Sequence, residues 1–164
     1  MIYEIRTDND PILLTPTEEF NFDNPQIDPI ELANNLLETM REVGGVGIAA
    51  NQCGLPLRVF IMASESGILA CFNPRLRVHA DAEPISHEAG CLSYPDLFMK
   101  VVRPGLVEID FQDERGNARY MLLTALDARI AQHECDHLDG VSFTSRVSKL
   151  KRDMAMKKRS KARD

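Results

Sequence analysis

The chain of 164 residues has no tryptophan, only four cysteines and no long apolar segment. Its apolar stretches, such as residues 59–63, are far shorter than the roughly 20 residues of a membrane-spanning helix, so we expect no contact with a membrane. The first ten residues lack both a basic start and an apolar core, which predicts no signal peptide and a cytoplasmic location. Without a secretory signal, the cysteines are expected to stay reduced.

What is present is typical of one globular domain. Apolar residues make up 44% of the chain and charged residues 27%, a composition that allows a buried core without disulfides. Three of the four cysteines are therefore expected to be small buried apolar residues. The fourth cysteine is then a candidate metal ligand or nucleophile.

The net charge of −6 is unevenly distributed along the chain. Residues 146–164 contain nine basic and two acidic residues, whereas the other 145 residues contain ten basic and 23 acidic residues. We interpret residues 1–145 as the main part of the domain and 146–164 as a basic C-terminal helix or tail of the same domain. This tail can contact ribosomal RNA without sequence-specific recognition of nucleic acid, and a solvated helix end with no partner is the alternative.

Apolar periodicity predicts helices on both sides of a strand-rich middle. Asp28 followed by proline and, three residues on, by glutamate is typical of a helix start. A second helix is expected to begin with a capping box at residues 124–127. The predicted helices are 28–43, 124–138 and 147–161, and the predicted strands are 57–63, 68–72, 105–111 and 118–124. Strands grouped around one central helix indicate an α+β fold.

The most informative motif lies in the second helix and runs from His133 to His137, with the pattern H-E-x-x-H. Two histidines four residues apart share one helix face, with Cβ atoms about 5–6 Å apart, so both rings can bind one metal ion. Glu134, beside the first histidine, can then transfer protons for a metal-bound water. Cys135 lies between the histidines and is expected to point away from them.

A metal centre of this kind needs a third ligand. The residues that supply this ligand in two protease classes are both absent from the chain. No glutamate follows Glu134, and Phe143 stands where the longer H-E-x-x-H-x-x-G-x-x-H motif has its last histidine. The upstream candidates are the acidic residues, His79, His87, Cys53, Cys71 and Cys91. We favour Cys91, because Gly90 before it lets the thiolate approach an ion closely. One cysteine and two histidines leave a fourth tetrahedral position for water.

A third segment, "GVGIAANQ" at residues 45–52, consists mostly of small residues. Such residues allow a substrate backbone to come close, although simple packing is the alternative interpretation. Gln52 ends the segment with an amide that can donate a hydrogen bond to an oxyanion.

In this order, the three segments resemble the motifs of the peptide deformylases. That family carries G-φ-G-φ-A-A-x-Q, E-G-C-φ-S and H-E-φ-D-H, where φ is apolar, and the corresponding residues here are 45–52, 90–93 and 133–137. Asp10-Pro11, Arg103-Pro104 and the continuation "HLDGVSF" also resemble the family, so that the similarity extends over nearly the whole chain. The resemblance implies an α+β fold with antiparallel sheets around a central metal-binding helix.

The resemblance also implies an activity, namely hydrolysis of the N-formyl group from N-formylmethionyl nascent peptides with release of formate. It implies that Cys91, His133 and His137 bind one divalent metal ion, Fe²⁺ in the native enzyme, with Zn²⁺, Ni²⁺ or Co²⁺ as substitutes. Glu134 is then expected to take the proton of the attacking water and to pass it to the departing amine.

For substrate binding, the resemblance assigns further residues to the site. The backbone N–H of Leu92 and the amide of Gln52 are expected to stabilise the oxyanion. Gly47 and Val46 are expected to hold the substrate.

Two positions depart from the family pattern and are expected to change the pocket for the first side chain of the substrate. Ala89 stands where the family has a glutamate that can pair with an arginine such as Arg103, and Glu88 or Asp136 are candidates to replace it. Arg129 places a charge on the metal-binding helix where an apolar residue is expected.

Two other functions fit parts of the sequence. One is a metallopeptidase that cleaves internal amide bonds, for which the downstream ligand is missing. The other is a non-catalytic ribosome-binding protein with a structural zinc, for which Glu134 and Gln52 have no use.

Overall fold

The computed structural model describes residues 1–164. Its α-helices are α1 (Pro29–Glu42), α2 (Ala125–Leu138) and α3 (Lys149–Arg163), each within two residues of its predicted bounds. The predicted start of α1 is confirmed, because a side-chain oxygen of Asp28 accepts the N–H of Glu31 at 2.9 Å. Just beyond the helix, Gly44 has a φ of +69°, a left-handed conformation that ends a helix and that glycine adopts easily.

The capping box predicted for α2 is wrong. Thr124 is the N-cap residue, but its side chain accepts no capping hydrogen bond. The carboxylate of Asp127 instead accepts the backbone N–H of Glu65 at 3.1 Å. Nine of the 14 residues of α2 are buried. Packing against the rest of the molecule therefore holds this helix in place, as is usual for helices in proteins.

Seven strands form two separate antiparallel sheets. The five-stranded sheet has the order β1 (Gly47–Ala49), β2 (Val59–Ser64), β3 (Gly67–Val78), β6 (Leu106–Gln112) and β7 (Ala118–Thr124). The two-stranded sheet pairs β4 (Pro84–Cys91) with β5 (Tyr94–Pro104). The pairing of β2 with β3 ends at Phe72, the end of the predicted strand 68–72, but β3 itself continues in extended form to Val78. The strand passes through an irregularity between Phe72 and Arg75 and changes its neighbour from β2 to β6.

The strand prediction missed the β4–β5 hairpin and the short strand β1. Residues 92 and 93 connect the two strands as a turn. From residue 97 to 103 of β5 the side chains alternate between buried and exposed, and the buried ones are Leu97, Met99, Val101 and Arg103. This alternation is typical of a strand with one buried face.

The core of the molecule lies on both faces of β2. Phe60 and Met62 belong to the apolar cluster that includes residues of α2, whereas Val59 and Ile61 belong to the cluster that includes residues of α1. Neighbouring side chains of a strand point to opposite faces, so α1 and α2 pack on opposite sides of the sheet. All four side chains are almost completely buried, which contributes about 1.5–3 kcal/mol each. The predicted α+β fold around a central helix is confirmed.

None of the three helices combines the length and apolar character that crossing a membrane requires.

Candidate metal centre

Three side chains from two distant parts of the chain meet at one point. Helix α2 presents His133 and His137, whose ring centroids lie 4.9 Å apart. Cys91, at the end of β4, completes the group, and one ligand atom from each residue lies within 4.8 Å of the other two. The Cys91 Sγ is 3.2 Å from the His137 Nε2. These atoms can therefore surround a single ion.

The chemistry of this donor set fits a divalent metal ion. With bonds of about 2.0–2.3 Å, tetrahedral sulfur and nitrogen ligands lie about 3.4–3.6 Å apart, which is close to the spacing of Cys91 and His137. Burial lowers the pKa of both histidines, that of His133 to about 4, so the rings are neutral at neutral pH, the form that binds metals. Burial also raises the pKa of Cys91 to about 12, so its thiolate requires a nearby cation, which a divalent metal ion provides.

Two backbone groups in the β4–β5 turn also stabilise the sulfur. Burial raises the Cys91 pKa, and hydrogen bonds from the backbone N–H groups of Ser93 and Tyr94 partly oppose that rise. Gly90 also has a close neighbour that was not anticipated. A Cβ atom at Gly90 would lie 2.9 Å from a ring carbon of Phe98, so this glycine makes room for Phe98 across the hairpin.

The carboxylate of Glu134 is buried beside the group of three ligands. The residue is only 3% exposed, and its Oε2 has no hydrogen-bond partner. Burial raises the pKa of Glu134 to about 8, although the positive charge of Arg103 acts in the opposite direction. A carboxyl group with this pKa can both accept and release a proton near neutral pH.

Gly47 is packed directly against that carboxylate. A Cβ atom at Gly47 would lie 2.6 Å from the Glu134 Oε1 and 2.9 Å from a methyl carbon of Ile130. No other residue fits here without moving one of these side chains, so the absence of a side chain at residue 47 keeps Glu134 in its place.

The side chain of Gln52 has a defined orientation. Its Oε1 accepts the backbone N–H of Ala49 at 2.9 Å, and its Nε2 donates to the Ser93 Oγ at 3.1 Å. The same Nε2 lies 3.8 Å from the Cys91 Sγ. The donor end of the amide therefore faces the metal-binding group, as an oxyanion donor must.

A cavity of about 530 Å³, the central cavity, opens beside these residues. The predicted site residues that line it are Val46, Gly47, Gln52, Cys91, Leu92, His133 and Glu134. Of the predicted residues only His137 does not line it, since it is 2% exposed and lies behind the others. Val46 is 55% exposed and forms part of the rim.

The remaining upstream candidates do not join the metal-binding group. His79 lies near Asp81 in a turn, and His87 lines the central cavity without belonging to the group. Cys53, Cys71 and Cys135 are buried free thiols, as expected for small apolar residues. Cys135 packs in the cluster around β2, away from the two histidines.

Asp136 takes the place of the carboxylate that is absent at Ala89. The Oδ2 of Asp136 accepts a hydrogen bond from Arg103 at 3.0 Å, and Arg146 binds both carboxylate oxygens at 2.6 and 3.0 Å. Glu88, the other candidate, is exposed and makes no ion pair with Arg103. Ala89 packs in an apolar cluster.

Several supporting residues were not anticipated from the sequence. Asn51 donates its amide N–H to the backbone carbonyl of His137 at 2.6 Å and thereby connects the small-residue segment to the end of α2. Phe143 is not a ligand, but its buried ring lies 5.8 Å from the ring of His133. The one available signal for Asn51 was a polar residue between Ala50 and Gln52, in a segment otherwise expected to be tightly packed.

A cysteine and two histidines around one point, beside a buried carboxyl group and an open cavity, define a metal-dependent hydrolase. The comparison with known proteins specifies the family. The model of the polypeptide deformylase family matches residues 2–153. The peptide deformylase of Rhizobium meliloti is 37% identical over 161 residues, which cover 93% of this chain and 89% of that protein.

Solved structures lead to the same family. The crystal structure of peptide deformylase from Ehrlichia chaffeensis superposes with a TM-score of 0.87 at 30% identity, covering 99% of this chain and 97% of that one. The class I type b peptide deformylase from Acinetobacter baumannii, in a structure with Met-Ala-Ser bound, has a TM-score of 0.81 at 28% identity, covering 90% of this chain and 99% of that one. The chain belongs to the peptide deformylase family.

Its activity is therefore the hydrolytic removal of the N-formyl group from the N-terminal methionine of newly made polypeptides, with a divalent metal ion as the catalytic cofactor. The function predicted from the sequence is confirmed, and family membership favours it over the metallopeptidase and the structural zinc protein.

Proposed function

We propose that Cys91, His133 and His137 bind the catalytic ion and that the native ion is Fe²⁺. The observation that carries this proposal is the convergence of three ligand atoms within 4.8 Å of one another beside a buried carboxyl group. A set of one thiolate and two imidazoles also suits Zn²⁺, Ni²⁺ and Co²⁺. When bound, the ion supplies Lewis-acid catalysis for attack by water on the formyl carbonyl.

Glu134 accepts the proton of the attacking water and later delivers it to the departing amine. Its raised pKa, about 8, supports both steps, because a group that titrates near the working pH serves as base and acid in turn. The unpartnered Oε2 supports the same role, since this oxygen is free to bind the water.

The negative charge that develops on the formyl oxygen is stabilised by two donors, the Gln52 amide and the backbone N–H of Leu92. The Gln52 carbonyl is held by Ala49, which keeps the donor end directed toward the reacting group. Leu92 follows Cys91 directly in the turn of the hairpin, so its N–H is as firmly placed as the proposed ligand. The loss of one such donor costs about 100- to 1,000-fold in rate.

The central cavity holds the formylated peptide, with Gly47 and Val46 along its wall. The A. baumannii relative with Met-Ala-Ser bound supports this proposal, because that tripeptide is what deformylation of formyl-Met-Ala-Ser leaves behind. The volume of about 530 Å³ is within the range of small-molecule sites.

The proposal is tested by purifying the chain without oxygen, measuring its bound metals and assaying formate release from formyl-Met-Ala-Ser. We expect close to one equivalent of metal, mostly iron, and rapid formate release. Unblocked Met-Ala-Ser and an internally cleavable peptide serve as controls for peptidase activity. Cleavage of internal peptide bonds without formate release would contradict the proposed chemistry.

For the rest of the molecule, the proposed division is a catalytic part at 1–145 and a basic segment at 146–164 that contacts the ribosome in the cytoplasm. Helix α3 has no buried residue. Arg159 pairs with Asp8 at 2.7 Å, which fixes one side of α3 to the body of the protein. The lysines on its exposed side have no such partners and are available for phosphate contacts.

A further inference from the structure

Arg129 is a positive charge in the wall of the central cavity that the reaction described above does not use. It lies one helical turn before His133, on the same face of α2, and both residues line the cavity. Its Nε is buried without a hydrogen-bond partner. Burial lowers its pKa, but an arginine remains charged at neutral pH even so.

The acidic side chains around the cavity do not neutralise this charge. Glu88, Asp96 and Glu134 line the same cavity, yet Arg129 forms no ion pair with any acidic residue. The guanidinium group of Arg103, in contrast, binds Asp136. Arg129 is only half-buried, and because the protein does not neutralise its charge, it can form a charge-assisted hydrogen bond with an anion in the cavity.

His87 provides a second polar group in the same wall. Its Nδ1 is buried without a partner. Burial lowers the pKa of His87 to about 4, with further contributions from the positive charges of Arg129 and Arg103. The ring is therefore neutral at neutral pH and keeps one N–H to donate. The other nitrogens of Arg129 and His87 are not buried, so both side chains can bind a ligand in the substrate cavity that they line.

We propose that Arg129 and His87 form an anion subsite, and that it binds the carboxylate of an aspartate or glutamate side chain close to the formylated end of the peptide. This proposal rests on the deformylation chemistry proposed above. A peptide offers two kinds of carboxylate, an acidic side chain and its own C-terminus. A nascent chain that is still attached to the ribosome has only the first kind.

The reach of the subsite limits which substrate residues it can contact. Four residues of helix separate Arg129 from His133, a rise of about 6 Å. An extended peptide advances about 3.3 Å per residue. With the formyl group at the metal centre, the subsite therefore faces one of the first three residues of the substrate.

Because residue 1 is methionine, the test compares peptides that differ only by glutamate or glutamine at residue 2 or 3, such as formyl-Met-Glu-Ser-amide and formyl-Met-Gln-Ser-amide. The C-terminal amide removes the second source of carboxylate. We expect kcat/KM for the glutamate peptide to exceed that for the glutamine peptide by about fivefold at one of the positions. High salt should reduce this preference, because it screens a partly exposed ion pair.

Variants of Arg129 test whether this residue causes the preference for the glutamate peptide. Arg129→Gln should bring the ratio of the two kcat/KM values to about one, Arg129→Lys should retain part of the preference, and Arg129→Glu should reverse it. Arg115→Gln, in the exposed turn between β6 and β7, removes the same charge away from the cavity and should leave the ratio unchanged. Bound metal is measured for each variant, so that loss of the ion is not mistaken for loss of the subsite.

Two results would overturn the subsite while leaving deformylation intact. One is normal formate release with a ratio near one at both residue 2 and residue 3, and the other is a glutamate preference that survives in Arg129→Gln. If Arg129 favoured binding only of peptides with a free C-terminus, the subsite would bind the C-terminal carboxylate rather than an acidic side chain. If no formylated peptide released formate, the deformylation chemistry would fail and the subsite with it.

Discussion

Gly47 and Glu134 form the contact on which the proposed proton transfer depends most directly. In Gly47→Ala the new methyl group would collide with the Glu134 carboxylate at 2.6 Å and move it. A displacement of about 1 Å at a catalytic group can cost about 100-fold in rate, so we expect a decrease of that size in kcat with the metal still bound. Steady-state formate release and metal analysis measure the two quantities.

Gly105→Ala is the matched control for that substitution. Its new Cβ would meet Glu83 and Ile85 at 3.2 Å, a tight contact outside the central cavity. This variant should lose some stability but keep its kcat. If Gly47→Ala retained full kcat, the position of the Glu134 carboxylate would not limit turnover.

Replacement of Glu134 itself separates proton transfer from metal binding. Glu134→Ala removes the proposed base without touching the three ligand atoms. The variant should bind metal normally and lose about 100- to 10,000-fold in kcat, the usual contribution of a positioned acid or base. Substantial deformylation by the metal-loaded variant would contradict the proton-transfer role.

At this scale the residues that share a short motif followed directly from the sequence, whereas contacts that form only through folding were left open between alternatives or, like that of Asn51 with His137, were missed. His133 and His137 follow from helix geometry alone, because four residues make one turn. The partner of Arg103 was left open between Glu88 and Asp136, and the structure pairs this strand residue with Asp136 on the helix. Their contact depends on how β5 packs against α2, and no local pattern records that packing.

Among the elements, the β4–β5 hairpin shows how a strand can escape prediction. The buried face of β5 includes Arg103, and its exposed face includes Phe98 and Val102. The alternation of burial therefore has no matching alternation of apolar and polar residues, which is the signal that predicts a strand. For this reason the strands on both sides of the turn at residues 92–93 were missed.

The hairpin also leads to a prediction about Gly90. In Gly90→Ala the added methyl group would press on the ring of Phe98, which is 60% exposed and can move aside. Such a change at the surface typically alters stability by less than about 0.5 kcal/mol. We expect normal metal content and a kcat within about threefold of the parent. Loss of the ion, measured by elemental analysis, would support the prediction that Gly90 lets the neighbouring thiolate approach the metal.

Helix α3 carries the prediction about the ribosome. Lys151, Lys157 and Lys161 are exposed and form no ion pairs with the rest of the protein. Reversing all three charges to glutamate should weaken cosedimentation with ribosomes, because contacts to RNA phosphates depend on positive charge. Cleavage of a free formyl-peptide should not change.

A second triple variant controls for net charge alone. The positions are Arg75, Arg115 and Arg119, all exposed and outside α3. If both triple variants lost ribosome binding equally, overall charge would be responsible rather than this helix. Unchanged binding in the α3 variant would mean that the basic segment is only solvated.

For the whole molecule, metal binding should contribute measurably to stability. The proposed ligands join α2 to the two-stranded sheet, so the folded state binds the ion and the unfolded chain does not. At 100 times the dissociation constant this linkage is worth about 2.7 kcal/mol, or roughly 5–10 °C in Tm for a domain of this size. A thermal melt with and without a chelator measures the difference.

Cys91→Ser is the control for this measurement, since it removes one proposed ligand with little change in shape. Its Tm should respond weakly to the chelator. An equal response in the parent chain and the variant would place the stabilising ion elsewhere.

The fold class was predictable from the sequence, but the pairing of the strands was not. The α+β class follows from the helical and strand-like segments. The separation of the strands into two sheets, and the change of partner within β3 at Asn73, depend on long-range pairing. Such pairing is decided by which surfaces can be buried together, a property of the assembled molecule rather than of any segment.

The two-sheet arrangement has a kinetic consequence. Cys91 belongs to a hairpin whose strands pair only with each other, whereas the two histidines lie on a helix within the main core. Small units of this kind open more often than the whole protein unfolds. The rate at which the bound ion exchanges with solution should therefore be set by brief detachment of this hairpin. The protein should then replace its metal without unfolding as a whole.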